Sequence, residues 1–353
     1  MVFHIYVGSY TNEIYTLAFD PDVPSLTLVS TLTVGFHPSW LTRHPKDASV
    51  VFAGLEQADG KIAAVKFDDK GHGTLLGSVS SGGGSPCTLV ATDSELLIGN
   101  YETGTFAAIP LSPEAPHLNE SGLALLSFSG TGPNKERQEG SHLHQVVIHP
   151  DHQELLIPDL GADKTWRLAK DGGGRWSSKG HVQYKAGSGP RHIAFYNDVL
   201  YTLLELTSEL SAHQFPSLPA EPKLLASVPT MSNFPGLPSE LGMLAAEILI
   251  PPPNATYPTP YLYVSNRNDP SPEGDVIAIF SVADPAKLAP AAEVRSGLNH
   301  LRGMVLGGEH DKYLVAGGVF GGGVKVFLRT DGGKGLKELA SVDLKAPTAF
   351  LWA

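Results

Sequence analysis

Four residues in the middle of the chain could together bind an anion and move a proton: His144, Arg191, Glu205 and Arg267. A guanidinium grips a carboxylate with two parallel hydrogen bonds and keeps its charge at any working pH. An imidazole titrates near neutrality and can give or take a proton. A glutamate set among arginines stays ionised. Either His144 or Glu205 would carry the proton, with Arg191 and Arg267 as the clamp. His142, His192, Arg302 and Asn266 stand beside these four in sequence or in repeat position and are further candidates for substrate contact.

Taken singly, each is unremarkable, because a charged residue at a strand end is usually a solvated loop residue. His149 and His152, in His149-Pro150-Asp151-His152, and His44, before Pro45, read as turn residues that are structural or exposed. Register separates the four from them. A segment recurs about every 50 residues, the spacing of propeller blades. Each copy opens on a short anchor: Pro38-Ser39-Trp40, Pro86-Cys87-Thr88, His142-Leu143-His144, Pro190-Arg191-His192, Leu244-Ala245-Ala246, His300-Leu301-Arg302 and Thr348-Ala349-Phe350. His144 and Arg191 occupy matching anchor positions. Glu205 and Arg267 end matching second strands, Leu203-Leu204-Glu205 and Ser265-Asn266-Arg267. Burying a glutamate between arginines is costly without purpose, since desolvation competes with pairing.

The elements that must position these residues are short strands. Val50-Val51-Phe52-Ala53, Leu96-Leu97-Ile98, Tyr261-Leu262-Tyr263-Val264 and Val276-Ile277-Ala278-Ile279-Phe280 are rich in β-branched and aromatic residues and bounded by Gly, Asp or Pro. No long segment of helical period interrupts them, and residues 239–250 read as a loop entering the next inner strand. The expected fold is all-β: a seven-bladed β-propeller with four-stranded blades, one domain over residues 1–353. The last copy supplies only an inner strand, and residues 3–9 look like a second strand. The N-terminal strand should therefore complete the C-terminal blade, which leaves no open edge. Pro158 is unusual in a central strand and predicts a local bend.

Composition narrows the function. Hydrophobic residues make up 42% of the chain and charged residues 17%, enough apolar material for a large core. The formal net charge of −11 argues against sequence-independent nucleic-acid binding, but a local arginine cluster can still attract an anion. Cys87 is the one cysteine, so no intrachain disulfide forms and a reducing compartment is permitted. The first residues read as a strand, without a basic and then apolar leader. No run reaches the roughly 18 apolar residues of a membrane span. A cytoplasmic location follows as the expectation, and the sequons at Asn119 and Asn254 are read as chance. Gly82-Gly83-Gly84 and Gly321-Gly322-Gly323 join strands to strands, without the helix that phosphate binding needs. No cofactor is expected, and no Asp/Asn cluster suited to a calcium cage lies at the channel positions.

The anchors and blades resemble the lactonase family of seven-bladed propellers, which includes bacterial 6-phosphogluconolactonase and the fungal 3-carboxy-cis,cis-muconate lactonising enzyme. The resemblance spans nearly the whole chain. It is carried by Pro38-Ser39-Trp40, His144-Gln145, Gly189-Pro190-Arg191-His192, Glu205, Ser265-Asn266-Arg267 and Leu301-Arg302-Gly303. It implies an enzyme that forms or opens a lactone on a small anionic substrate in the axial pocket. The family's His, two Arg and Glu would fall on His144, Arg191, Arg267 and Glu205. Two alternatives stand beside this: a metal-dependent sugar lactonase, and a non-catalytic interaction propeller. Convergence of the four side chains separates the enzyme from the scaffold. A proline-rich insertion at residues 251–260 and a Pro/Gly-rich stretch at residues 234–240 are expected to reshape the pocket mouth.

Overall fold

The computed structural model describes residues 2–231 and 242–353, so the stretch 234–240 lies outside the described residues. The strands sort into seven four-stranded antiparallel sheets. Blade 1 closes the ring: Pro347–Trp352 is its inner strand, followed outward by Phe3–Ser9, Glu13–Asp20 and Ser25–Thr33. Blade 2 begins at Pro38–Arg43, blade 3 at Pro86–Ala91, blade 4 at Val147–Ile148, blade 5 at Pro190–Tyr196, blade 6 at Leu244–Leu249 and blade 7 at Asn299–Gly307. The segment after residue 241, read from sequence as a loop entry, is already strand from Leu244.

Apolar burial explains why the sheets stack. A buried cluster fills every seam between successive blades. Tyr6, Ile14, Leu41 and Val51 join blades 1 and 2. Phe52, Leu89 and Ile98 join blades 2 and 3, and Leu97, Phe106, Leu143 and Leu155 join 3 and 4. The series ends where Val315 and Val326 of blade 7 meet Ile5, Val7 and Phe350 of blade 1. Each blade thus buries both faces, which is why its middle strands are apolar runs and not alternating ones.

One irregularity recurs in every blade and decides where the site lies. In blade 2, Pro38 pairs with Leu55 but Trp40 pairs with Gly54, which leaves Ser39 as an extra residue. The same β-bulge leaves Cys87, Arg191 and Thr348 unpaired in blades 3, 5 and 1. The register also slips by one residue beside Ala246 and Arg302, and between the Leu143–Asp159 bridge and Val147. A bulge re-aims a side chain. Here it turns one residue per blade toward the ring axis. In blade 4 the slip coincides with Pro158, whose neighbouring inner strand is reduced to two residues.

Close stacking makes second-strand glycines structural. A Cβ on Gly54 would stand 2.5 Å from the carbonyl oxygen of Pro86 in the next blade. Gly54→Ala should therefore lower stability by about 1–3 kcal/mol through overpacking. A thermal melt checks this, and an unchanged Tm would mean the blades slide apart more easily than their seams suggest.

Candidate functional site

In an antiparallel blade, the start of strand one and the end of strand two lie at the same edge. Two rings of side chains therefore surround one mouth of the channel. The bulge ring runs Thr348, Ser39, Cys87, His144, Arg191, Ala246 and Arg302 from blade 1 to blade 7. The second ring is the residue that follows, in each second strand, the partner of the inner-strand residue just before the bulge, and it holds Tyr10, Glu56, Tyr101, Leu160, Glu205, Arg267 and Val319. Of the four side chains expected to converge, Arg191, Glu205 and Arg267 are in direct contact, and His144 lies within the influence of the Arg191 charge.

Glu205 is the centre. Its side chain is 1% exposed and touches three guanidinium groups. Oε1 accepts from Arg137 Nη2 at 2.6 Å. Oε2 lies 2.8 Å from Arg191 Nε and 2.8 Å from Arg267 Nη2. The Arg191 contact is an ion pair without hydrogen-bond alignment. Burial by itself would raise the Glu205 carboxyl, but Arg267, Arg191 and Arg137 outweigh it and hold the group ionised, well below the usual carboxylate range. Burial works against the Arg191 and Arg267 charges in turn, and Glu205 offsets it. Backbone carbonyls of blade 6 fix both forks: Arg191 Nη1 donates to Ala246 O, and Arg267 Nη2 donates to Ala245 O at 3.0 Å.

The two histidines sit lower. His144 is 5% exposed, and its ring meets the Tyr101 and His192 rings edge-on at 5.5 and 5.2 Å. Its Nδ1 is buried with no protein partner. Burial first, then Arg191, His192 and Arg302, push the His144 pKa well down, so the imidazole is neutral at pH 7. His192 Nδ1 donates to Glu247 Oε1 at 2.7 Å. It reaches across the channel to the Trp40 ring of blade 2, 5.6 Å away, and these two rings floor the charged mouth. Below them a cavity of about 240 Å³ is lined by Trp40, Gln145, Glu247 and Met304.

Two sequence expectations need correction. Asn266 does not face the mouth. Side chains alternate along a strand, so its neighbour Arg267 points to the channel while Asn266 is fully buried and accepts from Thr230 Oγ1 at 2.6 Å, tying blade 6 to blade 5. The proline-rich insertion at 251–260 joins strands one and two of blade 6, so it lies at the opposite mouth. There Asn254 Nδ2 donates to His310 O, and Arg329 packs over the Tyr257 ring at 3.8 Å. His142 is close to the site but already engaged. It stacks on Tyr101, and its ring nitrogens meet Tyr101 O at 2.9 Å and Glu139 Oε1 at 3.0 Å. Arg302 does reach the mouth, 3.7 Å from Glu56 Oε2 and over the Tyr10 ring. His149 is buried against Phe195 and Phe215, a packing residue as its turn context suggested.

Sequence reasoning missed Tyr10, Glu56 and Arg137. The first two share the repeat position of Glu205 and were reachable by extending the register. Arg137 lies in the irregular segment between blades 3 and 4, where no repeat position exists. Counted together, Arg137, Arg191, Arg267 and Arg302 set four positive charges against the two of Glu56 and Glu205, an anion-attracting basin on an acidic protein. Cys87 also faces this basin, but burial raises its thiol to about 12, so it is no nucleophile at neutral pH. Among the described residues, no three His, Cys, Asp or Glu side chains are grouped to hold a metal ion, and no helix is long and apolar enough to cross a membrane.

Comparison with known proteins supplies the chemical context. A family model described as "Lactonase, 7-bladed beta-propeller" matches residues 4–352. A 6-phosphogluconolactonase of Bacillus subtilis is 28% identical over 290 residues, covering 78% of this chain and 77% of the relative. A 6-phosphogluconolactonase of Formosa agariphila is 27% identical, covering 79% and 78%. Among solved structures, the periplasmic gluconolactonase of Pseudomonas aeruginosa superimposes with a TM-score of 0.83 at 24% identity, over 100% of this chain and 99% of that one.

Proposed function

The chain belongs to the family of seven-bladed β-propeller lactonases, and from that premise we propose that it hydrolyses a small anionic lactone at the arginine-lined mouth. The observation that carries this reading is the buried Glu205 gripped by Arg137, Arg191 and Arg267 beside an unpartnered, neutral His144.

In this reading the substrate anion lies against the free edges of Arg191, Arg267 and Arg302. Glu205 is too firmly ionised to carry a proton at neutral pH. It orients the guanidinium groups and lowers their mutual repulsion. His144 takes a proton from water as the water oxygen attacks the lactone carbonyl carbon. The arginines stabilise the negative charge that develops on the carbonyl oxygen. The acyl C–O bond of the ring then breaks, and the departing alkoxide recovers the proton from the imidazolium. No metal enters this scheme, so a chelator should leave turnover unchanged. We place the reaction in the cytoplasm, where one buried cysteine and no disulfide cause no difficulty.

The test is a hydrolysis screen over sugar lactones, phosphorylated sugar lactones and carboxylated lactones, run beside a muconate cyclisation assay. Ring opening supports the proposal. Cyclisation without hydrolysis replaces it with a lactonising enzyme, and inertness toward every substrate sinks both. Arg267→Lys sharpens the assignment. Lysine keeps a charge near Glu205 but loses the planar fork. One charge-assisted hydrogen bond is worth about 1.5–3 kcal/mol, so kcat/KM should fall by roughly ten- to a hundredfold. Because Arg267 is buried, a modest loss of Tm should accompany it. Wild-type kcat/KM in this variant would remove Arg267 from the clamp.

A further inference from the structure

The mouth divides by blade. Blades 4, 5 and 6 carry His144, Arg191, Glu205 and Arg267. Blades 7, 1 and 2 carry Arg302, Tyr10 and Glu56, which touch one another. Arg302 Nη2 stands 3.7 Å from Glu56 Oε2, and its guanidinium packs over the Tyr10 ring at 4.9 Å. The Tyr10 hydroxyl, which burial keeps protonated, donates to Glu56 Oε1 at 3.4 Å.

Hydrogen bonding sets Arg302 apart from the other three arginines. Arg137 donates to Glu205. Arg191 and Arg267 are pinned by the same carboxylate and by the carbonyls of Ala246 and Ala245. Arg302 donates to no described residue, because its one carboxylate neighbour lies beyond hydrogen-bond reach. Glu56 Oε2 is likewise buried without a hydrogen-bond partner. The Arg302 side chain is nonetheless only 13% exposed. A guanidinium has five N–H donors, and leaving them unmade away from water is costly. Its charge is also poorly balanced. It works against Arg191 and Arg267, and after burial and Arg267 it helps push His300 down to about 3. This side of the mouth thus holds a cation with free donors and a loosely held counter-charge.

We infer that Arg302, Tyr10 and Glu56 form an anion subsite that fixes the specificity of the mouth, with Arg302 as the anchor and Glu56 as the counter-charge that the bound anion displaces. This rests on the lactonase reading of the same mouth and divides its arginines into two tasks. Arg191 and Arg267 are held rigidly, and preorganised donors serve best where charge develops only in the transition state, at the carbonyl oxygen. Arg302 is free to turn its planar fork to a carboxylate or a phosphate, with the Tyr10 ring as its platform. The substrate accordingly carries its anionic group on the side away from the lactone carbonyl, spanning from blades 4–6 to blades 7, 1 and 2. In the empty mouth Glu56 keeps Arg302 from standing unpaired, and it weakens the grip on any anion that competes with it.

The experiment measures binding of two unreactive probes, succinate and inorganic phosphate, by calorimetry; the tighter of the two tells which anion the fork accepts. Arg302→Met should weaken that probe at least about tenfold. Arg302→Lys, which keeps the charge and the fold should the Met variant not fold, should lose about threefold or more. Glu56→Gln should act in the opposite direction and tighten the probe by about three- to tenfold, since it removes a like charge beside the anion. A role confined to the fold would move Tm and give no such opposite signs. Failure of both probes to bind the wild type, unchanged affinity in the Arg302 variants, or weaker binding in Glu56→Gln overturns the inference. Turnover of butyrolactones with and without a carboxylate is read separately. The wild type should prefer the carboxylated lactone, and Arg302→Met should remove that preference mainly through KM. Lactones opened with the preference intact in Arg302→Met overturn the anchor and leave the lactonase reading standing. Probes that bind as expected while no lactone is opened overturn the lactonase reading and not the anchor.

Discussion

Glu205→Gln is expected to be the most damaging single substitution in the mouth. It leaves Arg137, Arg191 and Arg267 within contact of a neutral amide, two of them buried. Removing one partner of a buried ion pair costs about 3–5 kcal/mol, because the charge that remains is desolvated and unpaired. Three arginines without their counter-charge should also spread apart, and a clamp that has lost its geometry stabilises no transition state. The expected result is a clearly lower Tm, with kcat/KM reduced by at least about a hundredfold at temperatures where the variant is folded. The wild type should show the same dependence through pH. The Glu205 carboxyl is held below its ordinary value, so its contribution to stability is fully present above about pH 4.3, the unfolded value, and is lost as pH falls toward the folded one. A Gln variant as stable and active as wild type would show that the arginines need no organiser.

The second large effect is expected at His144. Removal of a proton-transfer group costs about two to four orders of magnitude in rate. His144→Ala should lose that much in kcat while the arginines still hold the substrate, so KM changes little. The pH profile gives an independent reading. A general base must be neutral, and burial together with Arg191 and His192 pushes His144 well down. The acid limb of kcat/KM should therefore lie below pH 6.5, with a flat rate from pH 6.5 to 8 and activity lost as acid protonates the ring. His149→Ala is the comparison. His149 packs on Phe195 and Phe215 away from the mouth, so its loss should lower Tm but not the rate per folded molecule. An active His144→Ala beside an inactive His192→Ala would move the base to the His192–Glu247 pair.

How much of this was legible beforehand differs by residue. Blade number, strand order and the circular closure follow from local signals, because each blade repeats the same anchor, the same apolar strands and the same turns. The pairing of Phe3–Ser9 with Pro347–Trp352 needed no more than counting strands in the last copy. Arg191, Glu205 and Arg267 were legible for the same reason: a repeat turns sequence position into angular position around an axis. The register failed where a face had to be known. Asn266 and Arg267 are adjacent, yet strand alternation sends one into a blade seam and the other into the channel. The direction of that alternation is set by the bulge opposite, which no residue type announces. The insertion at 251–260 was legible as an insertion, but which mouth it borders depends on which end of the strand it joins.

The sequence by itself determined the repeat, the ring and the residue types that converge, since these rest on short-range pattern multiplied seven times. Only the tertiary structure decided the charge state and partners of the site. Arg137 comes from an irregular segment with no repeat position, yet it makes the shortest contact to Glu205. Burial, which lowers His144 and works against Arg191, is a property of all the blades packed together and of none alone. Electrostatic and hydrophobic energies depend on distance through space and on exclusion of water, and a linear chain specifies neither until it closes.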